Sequence, residues 1–85
     1  MENGWFSSPV PIAVGIIGDI RNIMSARQAL DALNGRWPDA GAPLYREARR
    51  ACQSAVNGDT PGERARAAFV AAAREARVLV ERQAG

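Results

Sequence analysis

The side chains that most often perform chemistry in proteins are scarce in this sequence. Its 85 residues include no His, and all eleven basic residues are Arg, so Lys is absent as well. Without His, the chain lacks the commonest general base and the commonest metal ligand. Without Lys, it lacks the amine that forms Schiff bases and the lysine of phosphate-binding loops. The composition therefore excludes several large classes of enzyme.

Cys52 is the one cysteine of the chain. A catalytic thiol needs a neighbouring base or a strongly electropositive pocket, and no His is present to supply one. Cys52 recurs at helical spacing with Ala48 and Ala55, so we interpret it as a small core residue. A lone cysteine forms no internal disulfide and no four-ligand zinc site. We expect no metal and no cofactor.

The carboxylates do not suggest acid–base catalysis. The aspartates and glutamates fall in predicted turns, helix caps or exposed helix faces, and no two of them evidently share a cleft. We therefore expect no catalytic residues and no enzymatic activity from this polypeptide.

Arginines form the most coherent basic surface, and we treat them as candidate nucleic-acid contacts. The net charge of +2 is a small excess, and the cluster extends little beyond one helical turn. Elsewhere Glu63–Arg66 and Arg77–Glu81 have the spacing of ordinary pairs within a helix. A solvated helix surface is thus favoured over a nucleic-acid site, whose candidate residues are Arg36, Arg46, Arg49 and Arg50.

Residues 10–24 are rich in Ile and Val and predict a β-hairpin. A two-residue turn at Gly18-Asp19 would place Ile17 opposite Ile20 and Val14 opposite Ile23. A four-residue loop at 15–18 is the alternative and would change this pairing. In the first register Ile17 and Ile20 lie away from the core, which receives Ile12, Val14, Ile16 and Ile23.

Three helices are predicted after the hairpin, at 25–34, 43–57 and 61–82. Ser25 and Gln28 form a capping box at the first, and Gly35 is expected to end it in a left-handed conformation. Pro43 suits the first turn of the second helix, whose apolar arc is Leu44, Ala48, Ala51, Cys52, Ala55 and Val56.

The third predicted helix is the longest. Thr60, Pro61 and Glu63 combine an N-cap, a first-turn proline and a capping-box acid, and no helix breaker follows before Gly85. Val70 and Val78 lie off its apolar stripe and are available for contact with another chain. The fold class is therefore α+β, with one domain over residues 1–85.

Large aromatic residues stand near both ends of this predicted domain. We interpret Trp37 as a core residue, because aromatic rings bury the most apolar surface. Trp5 and Phe6 are left open between the core and a partner-binding anchor, since terminal segments are often ordered only by a partner.

Several pieces of the chain form a combination that extends over nearly its whole length. The pieces are Trp5-Phe6, Pro9-Val10, Ser25, Ala29, Leu33, Trp37-Pro38, Gly41, Tyr45, Ala48, Cys52, Gly58, Ala65-Arg66-Ala67-Ala68-Phe69, Ala72-Ala73 and Ala76. Read together, they resemble the small bacterial family catalogued as domain of unknown function 982, and the resemblance is specific as a combination. It implies a compact α+β domain with no known activity, so it carries no functional residues over.

These observations favour a protein-interaction module that forms a homodimer and binds a further, unidentified protein. Seventeen of the forty hydrophobic residues are Ala, so a single chain buries little apolar surface, and self-association would bury more. The alternative is a nucleic-acid-binding accessory protein that uses the Arg cluster. Without a disulfide framework or an apolar run long enough to span a bilayer, we expect a cytoplasmic protein away from membranes. The candidate interface residues are Trp5, Phe6, Ile17, Ile20, Val70 and Val78.

Overall fold

The computed structural model describes residues 4–14, 19–35, 37–38 and 40–80. An antiparallel hairpin is followed by three helices, which confirms the predicted α+β class. Helices α2 and α3 share the greatest length, 14 residues each. The elements are β1 (Trp5–Val14), β2 (Asp19–Ser25), α1 (Ala26–Asn34), α2 (Pro43–Val56) and α3 (Gly62–Glu75).

The strands pair in a register that differs from the two-residue turn. Val14 lies opposite Asp19, and Val10, instead of Val14, lies opposite Ile23. The strands are therefore joined by the four residues 15–18, as in the alternative, and these lie outside the described residues. Strand β1 also begins at Trp5 instead of residue 10, and its pairing is irregular between Trp5 and Val10.

The chain returns to the sheet after α3. The helix was predicted to continue to residue 82, but it ends at Glu75, and Arg77 adopts a left-handed φ of 62° that redirects the backbone. Residues 78–80, which we call the return segment, run antiparallel to β1. Ala13 N–H donates to the Val78 carbonyl at 2.8 Å, and Val80 N–H donates to the Pro11 carbonyl at 3.0 Å. The return segment covers one edge of β1.

Helix α1 begins as predicted. Ser25 is its N-cap, and the Ser25 hydroxyl accepts a hydrogen bond from Gln28 N–H at 3.2 Å. The Gln28 side-chain oxygen accepts a hydrogen bond from Met24 N–H at 2.8 Å. In the usual capping box the donor would be the N–H of the N-cap residue Ser25, one residue later. Gly35 is the C-cap of α1, so the predicted end of the helix is confirmed, but its φ of −89° is not the expected left-handed conformation.

The starts of α2 and α3 differ in detail from the predictions. Leu44 was placed on the buried arc of α2, but it is exposed, and Tyr45 is buried instead. The N-cap of α3 is Pro61 instead of the predicted Thr60, and no side chain caps this helix. The Thr60 hydroxyl lies 2.7 Å from the Ser54 hydroxyl. Gly58, with φ 88°, follows the C-cap of α2, so the predicted end at Asn57-Gly58 is confirmed.

The core is centred on Phe69 and Trp37, whose ring centroids are 5.7 Å apart. Tyr45 also packs against Trp37, with centroids 6.1 Å apart, and its hydroxyl donates to the Leu33 carbonyl at 2.7 Å. This ring cluster confirms Trp37 as a core residue and ties α1, α2 and α3 together. The other largest fully buried side chains are Val10, Ile12, Ile23, Leu33 and Cys52.

Two glycines allow the beginning of β1 to approach the helices. A Cβ added to Gly62 would lie 2.5 Å from the Trp5 carbonyl oxygen, and one added to Gly4 would lie 2.8 Å from the Ala26 Cβ. The Gly4 carbonyl also accepts from Ala26 N–H at 2.9 Å. Side chains at these positions would separate β1 from the amino-terminal ends of α1 and α3.

Candidate functional site

The outer surface of β2 carries two exposed apolar side chains. Ile20 is 64% exposed and Met24 is 43% exposed, whereas Ile23 and Ser25 between and beyond them are buried. Because side chains alternate along a strand, Ile20, Asn22 and Met24 lie on the face turned away from the helices. This face is an apolar surface without a covering element among the described residues.

The backbone of β2 also has a free edge. Pro11 and Ala13 use their backbone groups to bind the return segment, so Val10, Ile12 and Val14 point theirs at β2. Their partners on β2 are Ile23, Arg21 and Asp19, which therefore point back at β1. The backbone groups of the intervening residues, Ile20, Asn22 and Met24, point away from the sheet.

Gln28 closes one end of this free edge. Its side-chain oxygen accepts a hydrogen bond from Met24 N–H at 2.8 Å, which also shows that this amide faces away from β1. Ile20 and Asn22 therefore contribute the exposed N–H and C=O pairs. A strand that presents such groups beside apolar side chains is a template for another strand.

The other predicted interface residues are divided between the surface and the core. Ile20 is exposed as expected, and Ile17 lies outside the described residues. Val78 does not lie on the surface of the third helix as predicted. It follows the shortened α3 and is buried in the core. Val70 is partly buried against the same core. Neither valine offers a large exposed surface.

The two amino-terminal aromatics also differ from each other. Phe6 is partly buried and packs against the core, whereas Trp5 is 60% exposed. Of this pair, Trp5 thus retains the exposure that a partner-binding anchor needs.

Glu63 and Arg66 bind β1 near these aromatics. The two were expected to pair within α3, but a Glu63 carboxylate oxygen accepts from Ser7 N–H at 2.6 Å. Arg66 donates from Nε to the Ser8 carbonyl and from Nη2 to the Ser8 hydroxyl, both at 3.0 Å. These contacts hold the start of β1 against α3 where its pairing with β2 is irregular.

The Arg cluster remains a surface feature. Arg46, Arg49 and Arg50 are all exposed on α2, and Arg36 lies outside the described residues. The structure therefore brings three of the four candidate nucleic-acid contacts onto one helix, with their guanidinium groups accessible.

Cys52 lies in a setting that suppresses thiol chemistry. It is fully buried, and desolvation raises the pKa of its thiol from 9.0 to about 12. The neutral thiol predominates at physiological pH, in agreement with its prediction as a core residue. No group of three or more His, Cys, Asp or Glu within the described ranges could hold a metal ion.

Met24 is the surface residue that the sequence reasoning missed. Its spacing of four from Ile20 is an even number, and even spacing along a strand is the signal that would have placed both on one face.

None of the helices in the described part of the chain is long and apolar enough to cross a membrane.

The fold is that of a small α+β protein, in which a hairpin and a return segment lie against three helices. Residues 8–80 match the family described as "Protein of unknown function (DUF982)", and the chain belongs to that family. The NMR structure of the Agrobacterium tumefaciens protein Atu1219 is similar, with 36% sequence identity and a TM-score of 0.78. The similarity covers 99% of this chain and 83% of that one. The comparison with curated proteins gave no match.

Proposed function

We propose that this protein is a homodimer that acts as a protein-interaction module and has no catalytic activity of its own. The observation that carries the proposal is the exposed pair Ile20 and Met24 on the outer face of an edge strand. Edge strands in monomeric proteins usually carry charges, prolines or a cover that blocks pairing with another chain. On its outer face β2 has the two apolar residues, with Asn22 between them.

A second copy of the chain fits this surface because an edge strand can pair with itself. Association of two β2 edges extends two small sheets into one and removes Ile20 from water in both copies. The small size of the chain favours this outcome, since a domain of 85 residues buries a low fraction of its surface on folding. Trp5 remains exposed for binding a further protein.

The absence of catalysis is supported by composition. The sequence has neither His nor Lys, and the pKa of its one thiol is raised by burial. A single cysteine without a disulfide partner also fits a reducing compartment, and we propose a cytoplasmic location on that ground.

Size-exclusion chromatography with light scattering tests the dimer. We expect a dissociation constant of roughly micromolar size. At concentrations of up to about 100 µM, the wild-type protein should therefore show twice the 9.1 kDa mass of one chain. Ile20→Glu should shift the protein to one chain mass, because it places like charges in the interface. Leu44→Glu is the matched control, since Leu44 is an exposed apolar residue on α2. A wild-type mass of 9.1 kDa throughout this range would contradict the proposal.

The second candidate function is binding of nucleic acid, which the exposure of Arg46, Arg49 and Arg50 on one helix favours. A dimer would double this surface. Fluorescence anisotropy with a labelled DNA duplex should then show binding that weakens steeply as salt rises from about 50 to 200 mM. Changing Arg49 and Arg50 to Ala should weaken DNA binding relative to the wild-type protein at the same salt concentration. Arg27→Ala on α1 is the control and should leave the binding unchanged. Binding that ignores salt would exclude this function.

A further inference from the structure

We propose that the two chains of the dimer pair β2 with β2 in antiparallel fashion about a two-fold axis at Ile20. In this register Asp19 of each chain lies opposite the partner's Arg21. The inference rests on the proposed homodimer and specifies its interface. It follows from the direction of the backbone groups, the charge pattern of β2 and the hydrogen bond of Gln28.

Backbone direction restricts the register first. Ile20, Asn22 and Met24 point their N–H and C=O groups outward, and Asp19, Arg21 and Ile23 point theirs at β1. An antiparallel ladder joins outward-pointing residues of one chain to outward-pointing residues of the other. The two-fold axis must therefore pass through a residue position. Within the first four residues of β2, the permitted positions are Asp19, Ile20, Arg21 and Asn22.

Charge then separates these registers. An axis at Asp19 sets two carboxylates opposite each other, and an axis at Arg21 does the same for two guanidinium groups. Like charges directly opposite each other destabilise a pair of strands. An axis at Ile20 instead gives two attractive pairs of Asp19 with Arg21. Both residues are exposed, and as a non-hydrogen-bonded pair their side chains lie close together.

Gln28 disfavours the last register. An axis at Asn22 would place Ile20 opposite the partner's Met24 and would require Met24 N–H as a donor. That amide already donates to the Gln28 side chain at 2.8 Å. The axis at Ile20 leaves this bond intact and uses Ile20 N–H and C=O in both chains. It also brings together the Ile20 side chains of the two copies, each the most exposed large apolar side chain among the described residues of its chain.

Charge reversal tests the pairing in solution. Asp19→Arg and Arg21→Asp should each weaken the dimer about tenfold, because each replaces two attractive pairs by two repulsive ones. The double variant, with both reversals in one chain, should restore wild-type affinity. Arg64→Asp, at an exposed position of α3, changes the net charge by the same amount as Arg21→Asp and is the control. Analytical ultracentrifugation gives the dissociation constants, and circular dichroism shows that each variant is folded.

A disulfide tests the position of the axis directly. In a hydrogen-bonded antiparallel pair the Cα atoms are about 5.5 Å apart, a distance that a disulfide spans. Under mild oxidation Ile20→Cys should give a cross-linked dimer, whereas Asn22→Cys, on the same face of the strand, should give much less. Cys52 does not compete, because it is buried and its thiol pKa is about 12.

The results separate this inference from the proposed dimer. A monomeric wild-type protein would overturn both. A dimer that cross-links through Asn22→Cys, or that the double charge reversal fails to restore, would overturn the Ile20 axis alone. Tighter association of Arg21→Ala would point to the axis at Arg21 and would likewise overturn it. Restoration together with cross-linking at Ile20→Cys supports the proposed interface.

Discussion

The two edges of the small sheet carry similar residues in opposite environments. At the edge of β1, the return segment brings Val78 into the core and forms hydrogen bonds with the Ala13 N–H and the Pro11 carbonyl. At the edge of β2, Ile20 is mostly exposed and the outward backbone groups of Ile20 and Asn22 have no strand beside them among the described residues. The difference lies in what covers each edge, and not in the hydrophobicity of the side chains.

In the proposed dimer, this contrast would direct association to one place. The edge of β1 is closed by the chain itself, so it cannot recruit a second copy. Gln28 occupies Met24 N–H and shortens the edge of β2 as well. What remains available is a short stretch around Ile20, which is sufficient for one defined register and short enough to limit open-ended aggregation.

The largest expected effect comes from placing the same charge on both edges. Val78→Asp should lower the free energy of unfolding by on the order of 4 kcal/mol, because it buries an unpaired carboxylate. Ile20→Asp should change the free energy of unfolding of the monomer by less than about 0.5 kcal/mol, since the position is exposed. Urea denaturation at a protein concentration below dimer formation measures both. If both variants lost the same free energy of unfolding, the two edges would not differ in their environment.

Proline substitution compares the backbone of the two edges. Val80→Pro removes the N–H that donates to Pro11, and we expect a loss of about 2 kcal/mol in unfolding free energy. Asn22→Pro removes an N–H that points away from the sheet, so its cost in the monomer should be under about 1 kcal/mol. Thermal denaturation of dilute samples checks the order. A larger loss for Asn22→Pro would show that its amide faces β1.

The turn that starts the return segment offers a smaller, stabilising change. Arg77 has a φ of 62°, which costs a residue with a side chain about 1 kcal/mol relative to glycine. Arg77→Gly should therefore raise the free energy of unfolding by about 0.5–1 kcal/mol. Ala67→Gly, at an exposed position inside α3, is the matched control and should lower it by about 1 kcal/mol. Urea titration distinguishes the opposite signs.

An effect of similarly small size is expected at the closed end of the free edge. Gln28→Ala removes the acceptor of Met24 N–H and should cost about 0.5–1 kcal/mol in unfolding free energy. Arg27→Ala, at the neighbouring exposed position of α1, should cost less than about 0.5 kcal/mol. In amide hydrogen exchange, Met24 should lose its protection only in the Gln28 variant. Retained protection there would mean that another group covers this amide.

Local signals in the sequence were sufficient for the presence of a hairpin, for the start of α1 and for Trp37 as a core residue. Ser25 and Gln28 specify a helix start through bonds within four residues, and the structure shows both. Trp37 and Cys52 were assigned to the core from size and helical spacing, and both are buried. In each of these cases the determining contact is short in sequence or follows from a simple period.

Contacts distant in sequence account for what the predictions missed. No glycine or proline marks the end of α3, because Arg77 makes the turn and residues 78–80 gain bonds from β1 that the helix could not offer. The β-branched Val78 and Val80 were the available signal for a strand. The early start of β1 depends likewise on Gly62 and on Glu63 and Arg66, which lie over fifty residues away along the chain.

The position of the return segment also orders events during synthesis. The ribosome releases β1 and β2 early, and residues 78–80 emerge after all three helices. Until then the nascent hairpin has two open edges and cannot place Val78 in the core. Neighbouring nascent chains on one messenger are therefore most prone to wrong pairing in this interval. Emergence of residues 78–80 covers the edge of β1 and leaves β2 as the open edge among the described residues, which is the edge that the proposed dimer uses.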